Sequence, residues 1–212
     1  MKHDIKIAIL GGSGKSGKYL VRQLLAQGYS CKLLLRNPEN FTIKSPWVET
    51  IRGDARNEQD IFSLIKDCKA VISTLGQPKG EAPIFSKTTQ NIIQAMQNIG
   101  AKRYILTAGL NVDTPEDKKS EKTQMATAWM QANFPEISAD RQAEFRLLSE
   151  SKLDWTMVRL PMIEQTEGRS KVLVSLDDCP GEKISTTNLA HFLIEQLSDD
   201  GFVRKAPFIA NG

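Results

Sequence analysis

Residues 5–28 read IKIAILGGSGKSGKYLVRQLLAQG, and the order of residue types in this stretch decides the fold. The run 5–10 is short and apolar, the pattern of a strand buried on both faces. Gly11, Gly14 and Gly17 follow at G-x-x-G-x-x-G spacing. Leu20, Val21, Leu24 and Leu25 then recur at helical spacing until Gly28 supplies a stop. A side chain at such a turn would block the approach of backbone N–H groups to a pyrophosphate. The helix N-terminus behind it offers unpaired donors and a partial positive charge. The stretch therefore reads as the phosphate-binding turn of a dinucleotide site, the alternative being a glycine-rich helix entry that binds nothing.

A Walker loop is the competing phosphate motif, because Gly14, Lys15 and Ser16 resemble its ending. Its spacing requires glycine at position 9, where Ile9 stands. The frame from Gly12 to Gly17 and Lys18 ends on Tyr19, where a magnesium-binding hydroxyl belongs. Kinase and NTPase chemistry are set aside on those grounds.

Strand-like and helical runs alternate along most of the chain, which predicts a doubly wound α/β fold, a Rossmann-type parallel sheet with helices on both faces. Strands are expected at 31–35, 48–51, 70–75, 103–107, 155–159 and 171–176. Helices are expected at 58–67, at 85–99 with Gly100 as stop, at 139–149 with Ser138 as cap, and from Thr186 or Thr187 to 197. A further helix carries Met125, Trp129 and Met130. With 212 residues, no repeat and no linker, one domain is expected, its last third a small extension on the substrate side.

Composition narrows the function. The net charge of +3, from 28 basic and 25 acidic residues, gives no reason to expect nucleic acid as a partner. Cys31, Cys68 and Cys179 are odd in number and lack ligand spacing, so they read as reduced thiols with no metal implied. The start at Met1 shows no leader pattern and no run is apolar enough to span a membrane, so a cytoplasmic location is expected. His3 and His191 lack companions for a metal or nucleophilic site.

Arg36 ends the second strand. An acidic residue there commonly holds the ribose hydroxyls of NAD, whereas arginine receives the 2'-phosphate of NADP. The residue therefore favours NADP(H) while leaving NAD(H) possible, with Arg22 or Lys32 as helpers. Asp54, beside Gly53 and Ala55, is a candidate acceptor for the adenine amine or a cap for the next helix, and the residues leave both open. Residues 73–76 and 107–109 lie at strand exits that face the crevice. Met125, Trp129 and Met130 form a stripe that either lines an apolar pocket or packs in the core. The polar segment 111–122, with Pro115, is expected to be a mobile surface loop or a lid. Glu164, Glu167, Asp177 and Asp178 read as a solvated acidic loop.

Seven stretches occur in one order: GGSGKSGKYLVRQLLAQGY, LLLRNPEN, GDARNEQDI, ISTLGQ, YILTAGL, LDWTMVRLP and ISTTNLAHFLIEQL. Together they resemble the NAD(P)-binding NmrA-like, atypical short-chain dehydrogenase group, over nearly the whole chain. Within it the chain is most similar to the flavin reductase and biliverdin-IX-beta reductase branch. The resemblance implies that Gly11, Gly12, Ser13, Gly14, Lys15, Ser16 and Gly17 hold the pyrophosphate and Arg36 the 2'-phosphate. It also implies that Asp54 and Ala55 border adenine, Leu75 and Gly76 the ribose, and Arg159 and Pro161 the nicotinamide, whose ribose half Thr107 and Ala108 are expected to border from their strand exit. Gln77, Gly109, Leu110, Met125, Trp129 and Met162 are the candidates on the substrate side.

The departures concern catalysis. Ordinary short-chain dehydrogenases use a tyrosine with a lysine four residues on. Tyr19, Tyr29 and Tyr104 all lack that partner, and residues 139–144 occupy the expected helix without either. Where the flavin-reductase branch has a serine and a histidine, Ala108 and Met162 stand. Two functions follow from the resemblance. One is an NADPH-dependent reductase of a flavin, quinone or other flat conjugated acceptor, for which water can supply protons. The other is a non-catalytic redox sensor that binds NAD(P) and a protein partner.

Overall fold

The computed structural model describes residues 2–212, so the reading that begins at Met1 lies partly outside the described residues. In chain order the elements are β1 (Lys6–Leu10), α1 (Lys15–Ala26), β2 (Ser30–Leu35), β3 (Val48–Arg52), α2 (Glu58–Ile65), β4 (Ala70–Ser73), α3 (Phe85–Ile99) and β5 (Arg103–Gly109). They continue with α4 (Glu121–Asn133), α5 (Pro135–Glu150), β6 (Asp154–Leu160), β7 (Met162–Glu164), β8 (Val172–Ser175), β9 (Lys183–Ser185), α6 (Thr186–Glu195) and β10 (Phe208–Asn211).

Eight strands form one sheet in the order β3-β2-β1-β4-β5-β6-β10-β8. All pair in parallel except β8, which runs antiparallel to β10 from Val172, opposite Asn211, to Ser175, opposite Phe208. The single domain is thus Rossmann-like α/β, as the alternation predicts. The order reverses between β1 and β4, and ligands of such sheets bind in the crevice outside the carboxyl ends of the strands at that point.

Two cores flank the sheet, and β1 shows how one strand feeds both. Ile7 and Ile9 pack with Leu20, Val21 and Leu24 of α1 and with Leu189 and Leu193 of α6. Ala8 and Leu10 face the other way, toward Ile61 and Leu64 of α2, Ile92 and Met96 of α3, and Leu148 of α5. Strand geometry turns successive side chains to opposite faces, so a strand covered by helices on both sides must be apolar throughout. Each such aliphatic side chain contributes about 1.5–3 kcal/mol by leaving water.

Helix ends follow local chemistry. Asn57 caps α2 by accepting from Asp60 N, and Gly100 ends α3 with φ +74°. The expected caps at Ser138 and Thr186 or Thr187 are corrected. Pro135, whose fixed φ suits a first helical turn, starts α5 earlier than expected. Ser138 is buried inside that helix and accepts from Asn111 Nδ2 at 3.0 Å. Ser185 caps α6, while Thr186 and Thr187 donate to the carbonyl of Thr166. The pair β7–β9, three residues each, forms a small second sheet beside the cleft. Among the described residues no helix is long and apolar enough to cross a membrane.

Candidate functional site

The glycine turn is shaped by two contacts. Gly11 has φ +74°, and a Cβ there would lie 2.5 Å from the carbonyl oxygen of Thr74 on the neighbouring strand exit. A Cβ on Gly17 would lie 2.1 Å from the carbonyl oxygen of Gly11. The first turn of α1 therefore presses directly on the loop, which Gly14 N closes by donating to Gly11 O at 2.9 Å. Gly14 is the N-cap of α1, and no side chain caps it. This is a cradle that fits a pyrophosphate: unobstructed backbone, an uncapped helix N-terminus, and Lys15 in the first turn with no acidic residue beside it.

Two chambers meet at this turn, sharing Gly14, Thr74, Leu75 and Gly76. The smaller, about 510 Å³, is lined by Gly11, Ser13, Arg36, Asp54, Ala55 and Gln77 together with Lys18, Arg56 and Ile84. The larger, about 1140 Å³, is lined by Lys15, Ser16, Thr107, Ala108, Gly109, Leu110, Trp129, Pro161 and Met162. Met130, Arg141, Leu160, Ile163 and residues 179–182 also line it. They meet at the switch point, the arrangement that a molecule with two nucleotide halves requires.

The smaller chamber carries a charge network that the sequence reading did not anticipate. Arg56 holds Asp54 through Nε at 3.0 Å and Nη2 at 2.7 Å, and the same Nη2 lies 2.8 Å from Glu81. Arg36 Nη1 lies 2.6 Å from the other oxygen of Glu81. Hydrogen bonding to Arg56 holds Asp54 below the usual carboxylate range, and Arg36 does so for Glu81. Asp54 is not the cap of α2, since Asn57 takes that place. Arg56 was legible in GDAR, because two residues past a strand-end aspartate the chain still faces the crevice. Glu81 had no such signal.

Several other expectations are corrected. Lys32 is buried along β2, 3.5 Å from Glu49, and does not reach the chamber. Gln77 belongs to the Arg36 chamber rather than the substrate side, its Nε2 donating to the carbonyls of Pro78, Glu81 and Ala82. Met125 is 67% exposed and lines neither chamber, so it is neither core nor pocket wall. Trp129, 59% exposed, stands on the rim of the larger chamber with its ring edge against Phe134. Gly12 and Gly17 serve packing, Gly12 against Leu33, and line no chamber surface.

Arg159 is the largest correction. Strand alternation turns it away from the cleft, where Leu160 and Pro161 remain. Its guanidinium is fully buried, meets Asp117 at 2.6 Å and 2.8 Å, donates to the carbonyls of Val112, Leu176 and Ala206, and lies 3.5 Å over the ring of Phe208. Lys119 adds bonds to the carbonyls of Leu110 and Val112 and to Asp113. Residues 111–122 are therefore pinned by buried charge, not a loose lid.

No tyrosine lines the larger chamber. Tyr104 is buried behind it, sharing a hydrogen bond with Thr89, and burial raises its hydroxyl pKa above the usual value. The charged side chain from the helix expected to carry a tyrosine is Arg141. It ion-pairs with Glu144 at 2.6 Å, donates to Leu75 O at 3.3 Å and lies 3.3 Å over the ring of Phe85. Among the described residues no three histidine, cysteine or acidic side chains gather to hold a metal.

A glycine-turned cleft across the switch point of a parallel sheet defines a dinucleotide-binding protein. The chain belongs to the NAD(P)H-binding family, whose model it matches over residues 11–200, and this is the NmrA-like, atypical short-chain dehydrogenase group. It is 26% identical over 211 residues to the isoflavone reductase homolog A622 of Nicotiana tabacum, covering 94% of this chain and 66% of that protein. It is 27% identical over 117 residues to the human sterol-4-alpha-carboxylate 3-dehydrogenase, decarboxylating, covering 50% of this chain and 30% of that protein. The chain thus spans less than two thirds of these relatives' length. A short-chain dehydrogenase/reductase of Veillonella parvula, solved in complex with NADP, shares the fold with a TM-score of 0.79 at 17% identity, over 98% of this chain and 94% of that one.

Proposed function

We propose that the protein is an NADPH-dependent reductase that delivers hydride to a flat conjugated acceptor such as a flavin or quinone. The observation that carries this reading is the contrast between the two chambers. One end offers Arg36 and Arg56 as paired guanidiniums suited to a phosphate. The other is walled by Leu110, Leu160, Pro161, Met162, Trp129 and Met130 and has no tyrosine acid. The NADP bound to the Veillonella parvula protein and the reductase and dehydrogenase names of the relatives support it.

Nicotinamide, when bound, supplies the hydride. The chain's part is to bind and orient. The glycine cradle and α1 N-terminus hold the pyrophosphate, Arg36 and Arg56 hold the 2'-phosphate, and Leu75 and Gly76 border the ribose. Thr107, Ala108 and Pro161 border the nicotinamide side. Met162, 67% exposed, and Trp129 make an apolar shelf on which a ring system can lie. Positioning alone accelerates a hydride transfer whose accompanying protons come from water. An acceptor of this kind therefore suits a cleft without a tyrosine acid better than a simple ketone does.

Calorimetric titration of the cofactor-free protein with NADPH, NADH, NADP and NAD tests the binding. Adding flavin or quinone while following the reduced-nicotinamide absorbance tests turnover. NADPH binding with acceptor-dependent oxidation is expected. Binding with no turnover over flavins, quinones and dyes removes the reductase reading in favour of a redox sensor.

A further inference from the structure

The bridging position of Glu81 between Arg36 and Arg56 has a consequence for cofactor choice. Resting on the NADPH reading above, we infer that Glu81 is an internal anion occupying the 2'-phosphate subsite, and that its displacement sets the discrimination between NADP(H) and NAD(H).

The contacts have the form of a small anion held between two forks. One carboxylate oxygen of Glu81 lies 2.6 Å from Arg36 Nη1 and the other 2.8 Å from Arg56 Nη2. Arg56 also holds Asp54. Two guanidiniums thus face two carboxylates, and the subsite is formally neutral while Glu81 stays in place. An incoming phosphate needs donors and positive charge, and it obtains both only if one carboxylate leaves.

Glu81 is the carboxylate placed to leave. Asp54 lies two residues past β3, where its Oδ1 accepts from both Arg56 N and Arg56 Nε. Glu81 instead rides on the turn between β4 and α3. Gln77 Nε2 ties that turn to itself through the carbonyls of Pro78, Glu81 and Ala82. Gly80 within it has φ +75° and nothing within 4 Å of where a Cβ would stand. Displacing the Glu81 side chain therefore breaks its two ion pairs and leaves the turn's own hydrogen bonds in place. The buried Gln77 Oε1, on a residue that lines the same chamber, has no hydrogen-bond partner. NAD(H) has no 2'-phosphate to compete with Glu81, so it binds without that exchange.

The test compares the protein with Glu81→Gln, which removes the charge and keeps the shape, using 2',5'-ADP, ADP, NADPH and NADH as titrants. Circular dichroism checks that the exposed substitution leaves the fold intact. 2',5'-ADP and NADPH are expected to tighten by about three- to tenfold, the scale of losing exposed competing ion pairs, with ADP and NADH changed by less than about twofold. An unchanged NADPH-to-NADH ratio overturns the inference. So does weaker NADPH binding, which would make Glu81 a support for the arginines. If the unaltered protein shows no preference for the phosphorylated ligands but Glu81→Gln gains one, the NADPH reading falls and the role of Glu81 stands. If neither prefers them, both fall.

Discussion

Arg159 and Asp117 stand 42 residues apart in the chain, and their side chains meet at 2.6 Å with the guanidinium wholly shielded from water. The pair fastens residues 111–122 to β6 and, through the bond from Arg159 to Leu176 O, to the segment after β8. Removing the carboxylate alone leaves a buried charge without its counterion. Asp117→Ala is expected to destabilise the fold by about 3–5 kcal/mol in urea unfolding, and Arg159→Met combined with it to recover much of that loss. A loss below about 1 kcal/mol would show that the backbone carbonyls around Arg159 suffice.

Gly17→Ala places a methyl group 2.1 Å from Gly11 O, with backbone rather than a flexible side chain in its way. The loop and α1 must separate, costing about 1–3 kcal/mol of stability and at least about tenfold in dinucleotide affinity. Gly168→Ala is the control for a general effect of losing a glycine, because open space surrounds it, its φ is not positive and it lines neither chamber. It is expected to affect dinucleotide affinity far less.

Arg36→Ala and Arg56→Ala are each expected to weaken NADPH relative to NADH by about 1–3 kcal/mol, measured by calorimetry. Because the two arginines share Glu81, the double variant should lose less than the sum. Equal losses for NADPH and NADH would remove both residues from the phosphate subsite.

His191 supplies a pH dependence whose sign is fixed by its surroundings. Burial, and then Arg169, hold its imidazole below the ordinary value of 6.5. As pH falls through 6.5 the unfolded chain takes up this proton before the folded chain does, so stability declines from there toward the folded-state value. At higher pH the group is neutral in both states and contributes no slope. His191→Gln should flatten the stability profile in that window, and an unchanged profile would assign the slope to other groups.

The central strands β1 and β4 are legible because both feed two cores and so read as apolar runs, as at Ile7, Ala8, Ile9 and Leu10. The glycine turn was legible because its spacing reflects contacts inside one short segment. What escaped reading depends on distant partners. Arg159 carries no mark of its burial, since Asp117, Leu176 and Ala206 reach it through tertiary structure. Glu81 looks like any surface glutamate until folding brings it to Arg36, 45 residues away. The strands β7 and β9 are too short for a period to show. Pro135 marks the true start of α5 through its fixed φ, whereas Ser138, a residue type common at caps, lies inside the helix.

Thr74, Leu75 and Gly76 border both chambers, and Thr74 is the wall against which Gly11 is pressed. A single strand exit therefore acts as a fulcrum. A ligand gripped by its phosphates on one side has its angle set on the other, so tightening the grip also steadies the aim. Changes at the adenosine end should accordingly be heard at the reacting end, in rate as well as in affinity.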